Sequence, residues 1–134
     1  MLDYNLSFEE RFKHTHYKEE DLKIFYSSLE QAKQKKQKSI NTIVQAWRIG
    51  RFGFVSIPGE MFSEIGIKIK QKSPFEWTFP VSYGGDYRGY LMPQHAWEAG
   101  GYESLIGAVQ QPNYKGVEML TNVALNALEE IYSG

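Results

Sequence analysis

The 134-residue chain has no cysteine and almost no net charge, and both absences exclude classes of function. Without cysteine there is no disulfide, no thiolate zinc site and no cysteine nucleophile. The net charge of -1 gives no overall attraction to nucleic acid or to an anionic membrane. No apolar run approaches the roughly 20 residues that a membrane-spanning helix needs. The N-terminus lacks the basic and apolar parts of a signal peptide, so we expect a cytoplasmic protein.

The common catalytic patterns are missing as well. The sequence contains no Gly-x-Ser-x-Gly elbow, no phosphate-binding or dinucleotide-binding glycine pattern and no His-Glu-x-x-His. His14 and His16 have the i, i+2 spacing that a metal site on a strand uses, but a surface pair at a fraying strand end has the same spacing. His95 is the only other histidine.

What the chain does contain predicts one soluble domain spanning residues 1–134. Hydrophobic residues make up 42% and charged residues 23%, as in globular proteins. Alternating or short apolar runs predict strands over residues 6–16, 40–49, 54–57, 77–81 and 102–110. Helical spacing predicts helices over residues 19–37, 61–73 and 117–131. The expected fold is α/β (α+β), a mixed sheet of four to five strands packed with three helices, in the order β-α-β-β-α-β-loop-β-α.

Glu60 stands at the junction between a predicted strand and a predicted helix. The strand ends at Ile57, Pro58-Gly59 breaks the extended pattern, and helical spacing begins at Met61. Open α/β sheets bind their ligands at such strand-to-helix turns. A carboxylate at a helix start is also explained by the helix dipole alone.

Residues 83–101 form a long segment rich in glycine and aromatic residues, without a regular period over most of its length. Such a segment is either a functional loop or a rigid Ω-loop packed by its own aromatic rings. Tyr83 and Tyr87 in this loop are candidate substrate contacts.

Four motifs stand in order along the chain: Ile57-Pro-Gly-Glu60-Met-Phe-Ser-Glu-Ile-Gly, Lys72-Ser-Pro74, Gly89-Tyr90-Leu-Met-Pro and Gly100-Gly-Tyr102-Glu103. In order and spacing they resemble the C-terminal part of the catalytic domain of the neutral/alkaline (non-lysosomal) ceramidases and their bacterial relatives. That family consists of zinc-dependent amidases that hydrolyse N-acyl sphingosine. The likeness is strongest over residues 43–103 and covers only the last part of the family domain.

The resemblance implies roles for individual residues. Glu60 and Tyr90 match two zinc ligands of the family, and Tyr102 matches an active-site tyrosine near the oxygen that develops charge. The family's other ligands are two histidines from segments upstream, which this chain does not contain. The chain also has Gly84-Gly85-Asp86 where relatives usually carry Asn-Gly.

The function implied is that of a stand-alone C-terminal subdomain of a zinc-dependent ceramidase-like amidohydrolase. With an incomplete ligand set, it would be inactive alone or would depend on a companion chain that supplies the upstream half. The Glu60 carboxylate and the Tyr90 hydroxyl should then converge within about 5 Å. Two alternatives stay open: a non-catalytic, self-associating homo-oligomeric module, and a small-molecule pocket between Glu60 and Tyr90 without metal.

Overall fold

The structure is a computed structural model that describes residues 41–99 and 112–134, together with Glu20, Lys23, Ser27, Ser39 and Glu103. Within these residues it is an α+β fold, with a mixed three-stranded sheet, a second ladder of two short strands, and helices. The predicted fold class is thereby confirmed. The elements are β1 (Ala46–Ile49), β2 (Phe52–Ile57), β3 (Glu60–Met61), α1 (Ser63–Lys72), β4 (Trp77–Ser82), β5 (Tyr90–Leu91), α2 (Gln94–Ala99) and α3 (Tyr114–Ser133).

The three-stranded sheet has the order β1-β2-β4 and contains one antiparallel and one parallel pair. The β1–β2 pair is an antiparallel hairpin, closed by a turn at Gly50 whose φ of 59° suits glycine. Because β2 and β4 are parallel, the residues that follow both strands emerge at the same edge of the sheet. Pro80 is tolerated because β2 is the only described strand beside β4.

One face of this sheet forms the hydrophobic core. Val55 and Ile57 of β2 are almost fully buried and pack against apolar side chains of α1 and α3. The helical residues of this core are Ile65, Ile69, Val117, Ala124 and Leu128.

The helices α1 and α3 form where the sequence spacing predicts them. Ile65 and Ile69 of α1 are one turn apart and buried, and the helix stops at Lys72 before Pro74. Asn113 caps α3 by accepting a hydrogen bond from the Gly116 amide at 3.0 Å.

Two predictions near Glu60 are wrong in detail. The predicted helix start at Met61 is two residues too early, because Glu60 and Met61 are extended and pair in parallel with Tyr90 and Leu91. Glu60 therefore lies in a short strand instead of at the first turn of a helix. The glycine-rich loop is also more regular than predicted, since it contains β5 and the short helix α2.

The predicted strand over residues 6–16 lies outside the described residues. Of the predicted strand over residues 102–110 only Glu103 is described, and it is helical, so the strand prediction is wrong at that position. Within the predicted helix over residues 19–37, the described positions Glu20, Lys23 and Ser27 are helical and exposed. In the described part of the chain, no helix is long and apolar enough to cross a membrane.

Gly59 lies close to the backbone of Gly89, and this gives a first prediction. A Cβ atom there would lie 2.6 Å from the Gly89 carbonyl oxygen, a backbone atom that cannot move away freely. We expect Gly59→Ala to lower the free energy of unfolding by about 2 kcal/mol, measured by urea denaturation.

Gly66→Ala is the matched control, because its Cβ would meet Met61 at an ordinary 3.7 Å. In the middle of α1 this change should stabilise the protein by up to about 1 kcal/mol. Equal effects of the two substitutions would contradict the close approach at Gly59.

Candidate functional site

The site is built at the edge where β2 and β4 end, and backbone hydrogen bonds fix it. Three successive carbonyls, beginning with that of the last residue of β2, each accept a hydrogen bond from an amide of the loop that follows β4. The Gly84 amide donates to Ile57 at 3.1 Å, that of Arg88 to Pro58 at 2.9 Å and that of Tyr83 to Gly59 at 3.0 Å. The Pro58-Gly59 turn thus anchors the loop that carries the tyrosines.

The ladder of β3 and β5 brings Glu60 beside Tyr90. The Glu60 amide donates to the Gly89 carbonyl at 2.9 Å, and the Cα atoms of Glu60 and Tyr90 are partners in the parallel register. Partners in a parallel ladder project their side chains from the same face. The two residues that the resemblance implies as metal ligands are therefore neighbours on one side of the ladder.

Tyr83 contacts Glu60 directly. Its hydroxyl donates a hydrogen bond of 2.5 Å to Glu60 Oε2, and its ring stacks on that of Tyr87 with centroids 5.5 Å apart. Both rings are about half exposed. Tyr83 has a φ of 61°, which is uncommon for a residue with a side chain and marks a local backbone strain. We call Glu60, Tyr83, Tyr87 and Tyr90 the Glu60 cluster.

The carboxylate makes the Tyr83 phenol a poor acid. The hydrogen bond to Glu60 is the largest influence that raises the pKa of Tyr83 from 10.0 to about 12, and desolvation adds to it. The charge of Glu60 and the neighbouring phenols of Tyr87 and Tyr90 act in the same direction. Tyr83 is therefore a neutral hydrogen-bond donor at physiological pH.

A second set of polar contacts, which the sequence did not reveal, holds the tip of the loop. Asp86 Oδ2 accepts hydrogen bonds from Thr42 Oγ1 at 2.9 Å and from Arg88 Nε at 2.7 Å, and Arg88 also donates to the Asn41 carbonyl. The hydrogen bond from Thr42 contributes most to lowering the pKa of Asp86, and the Tyr87 amide and Arg88 also lower it. The only signal in the sequence was Asp86 itself, which departs from the family pattern.

The remaining candidate residues are either not described or lie on another part of the surface. Tyr102, His14 and His16 lie outside the described residues. His95 lies 3.2 Å from Glu64, which links α2 to α1 at the surface. Among the described residues, no group of three or more histidine, aspartate or glutamate side chains could hold a metal ion.

The Glu60 cluster can thus offer one carboxylate and the phenol of Tyr90 to a cation, with Tyr83 orienting the carboxylate from outside. A hydrogen-bonded partner of that kind fixes the position of a ligand and tunes its basicity. The same arrangement also suits a polar ligand held by hydrogen bonds against two stacked rings.

The late ionisation of Tyr83 is a testable consequence. In an ultraviolet titration of tyrosinate, one of the nine tyrosines should titrate near pH 12, and Glu60→Gln should return it toward 10.0. Because the pKa is raised in the folded state, the stabilisation is complete below pH 10.0 and is lost as the pH rises toward 12.

Two variants complete this titration. Glu64→Gln removes a nearby exposed carboxylate without touching Tyr83 and should leave the late step unchanged. Tyr83→Phe should abolish it, and a late step that survives Tyr83→Phe would show that another tyrosine is responsible.

No family model, curated protein or solved structure matches this chain.

Proposed function

We propose that the chain is the C-terminal subdomain of a zinc-dependent, ceramidase-like amidohydrolase and contributes two of its metal ligands, Glu60 and Tyr90. The observation that carries this proposal is their direct pairing on one face of the β3–β5 ladder. That ladder lies at the edge where the parallel strands β2 and β4 end, which is where α/β sheets bind their ligands.

The residues present fit half of a zinc site. A carboxylate and a phenol are oxygen donors, and together with two histidines they would make four protein ligands, beside which a water could bind as a fifth. Bound in such a site, zinc supplies a water nucleophile near neutral pH. The two missing histidines would come from a companion chain, and without them we propose that the isolated chain has no amidase activity.

The tyrosines have complementary roles in this proposal. Tyr83, as a neutral donor, orients the Glu60 carboxylate. The exposed, stacked rings of Tyr83 and Tyr87 offer an apolar surface to the substrate. Tyr102 would contact the oxygen that develops charge, a role that rests on the resemblance alone. A cytoplasmic location belongs to the same proposal, and a chain without cysteine depends on no disulfide.

Zinc binding tests the half-site directly. After dialysis, elemental analysis should find no tightly held zinc, because two ligands do not make a tight site. Calorimetric titration should detect weak binding that Glu60→Gln and Tyr90→Phe each reduce. About one tightly held zinc per chain would overturn the two-ligand proposal.

Glu76→Gln is the matched control, because Glu76 is exposed and pairs with Arg51 away from the cluster. Its zinc titration should equal that of the unaltered chain. Equal zinc binding by Glu60→Gln and Glu76→Gln would contradict the zinc half-site. The remaining alternative would be a pocket between Glu60 and Tyr90 that binds a small molecule without metal. Co-purification with a chain that supplies two histidines would support the split enzyme.

A second candidate of another class is a self-associating, non-catalytic module. Several large apolar side chains in the described residues are exposed, among them Trp47, Trp77 and Phe79 at 43% or more. Exposed apolar surface of this extent is uncommon on a soluble monomer.

Light scattering after size exclusion tests this candidate. We expect a mass of twice the 15.5 kDa of one chain at high protein concentration. A monomer at every concentration would exclude self-association.

A further inference from the structure

The three-stranded sheet has an apolar face opposite the helices. Exposed side chains project from both of its edge strands, and the in-register neighbours Phe52 and Phe54 of β2 lie half-buried between them. We call this surface the aromatic sheet face. Its exposed members are Trp47 and Ile49 of β1 and Trp77, Phe79 and Val81 of β4.

The aromatic sheet face is ordered by cross-strand contacts. Phe54 stacks on Phe79 with ring centroids 5.1 Å apart and an interplanar angle of 18°, and Phe52 lies 6.3 Å from Phe79. On the β1 side of β2, Trp47 is the register partner of Phe54. Aromatic pairs of this kind stabilise a sheet and give it a preformed apolar surface.

The composition of this face differs from that of a solvent-facing sheet. Antiparallel sheets that face water on one side carry polar residues there, and strands in parallel pairs are usually covered on both faces. The polar residue in register with Val81 is Ser56, which is buried and accepts a hydrogen bond from the Gln45 amide at 2.9 Å. Arg51, in the turn before β2, and Glu76, just before β4, pair with each other at 3.3 Å.

We propose that the aromatic sheet face binds the same face of a second copy of the chain. This inference rests on the self-association proposed above and names the surface responsible. Two identical apolar faces are complementary, and the net charge of -1 opposes their approach very little. Flat sheet faces pack on each other about 10 Å apart with interdigitating side chains.

The available area sets the strength of the dimer. Aromatic side chains bury roughly 150–250 Å² each when fully covered, so the three half-exposed ones leave about 300 Å² per copy, to which Ile49 and Val81 add. Stable complexes bury about 800 Å² per partner. We therefore expect a dimer that dissociates in the micromolar range and has the Arg51–Glu76 pairs at its rim.

The test compares the same substitution on two surfaces of the full-length chain. Val81→Glu places a charge on the aromatic sheet face, where Val81 is 44% exposed, and Ile67→Glu places one on α1, where Ile67 is 52% exposed. By sedimentation equilibrium, Val81→Glu should weaken dimerisation at least about a hundredfold because the buried charge has no partner. Ile67→Glu should leave the dimer unchanged, and circular dichroism should show both variants folded.

Tryptophan accessibility separates the alternative occupants. In a Trp97→Phe background, acrylamide quenching of Trp47 and Trp77 should fall as the protein concentration rises and the dimer forms. A dimer that survives Val81→Glu keeps self-association and overturns the sheet-face assignment. A monomer with shielded tryptophans would show that another segment of the same chain covers the face. A monomer with accessible tryptophans would overturn self-association and the assignment of the aromatic sheet face as its surface.

Discussion

The site depends on three backbone hydrogen bonds between the loop after β4 and the end of β2. The amides of Gly84, Arg88 and Tyr83 donate to the successive carbonyls of Ile57, Pro58 and Gly59. They tie together two segments that follow parallel strands and would otherwise be independent loops. Because buried backbone groups have to be hydrogen-bonded, these three bonds fix the position of the loop. The register of Glu60 with Tyr90 follows from it.

The same anchoring explains the unusual details of the loop. Tyr83 adopts a φ of 61°, and its hydroxyl reaches Glu60, so a local backbone cost is offset by the surrounding contacts. Asp86 and Arg88 fix the tip of the loop to the segment before β1 through hydrogen bonds with Thr42 and Asn41. A carboxylate whose position is fixed by a hydrogen bond, as that of Glu60 is by Tyr83, loses less freedom when it binds a ligand than one on a mobile loop.

The sequence predicted the parts of the fold that have a long enough period. The strands β1 and β2 and the helices α1 and α3 follow from apolar spacing, and α1 ends at Lys72, one residue before the predicted end. The two-residue strands β3 and β5 and the six-residue helix α2 are too short to give a periodic signal, so Glu60 was wrongly placed at a helix start. The bond between Thr42 and Asp86 joins residues 44 positions apart, and spacing along a single sequence carries no information about such a pair. Glu60 and the tyrosines were identified as candidates, but their arrangement depends on the parallel register, which only the structure supplies.

The two proposals concern separate surfaces of the molecule. In the first proposal the Glu60 cluster contributes part of a ligand set at one edge of the sheet, and in the second the aromatic sheet face uses apolar rings on the side opposite the core. The measurement that tests the central claim most directly is the distance from the Glu60 carboxylate to the Tyr90 hydroxyl in a crystal structure of the chain. A half-site for one cation predicts a separation within about 5 Å. Side chains on opposite faces of the β3–β5 ladder, too far apart for one ion to contact both, would contradict it.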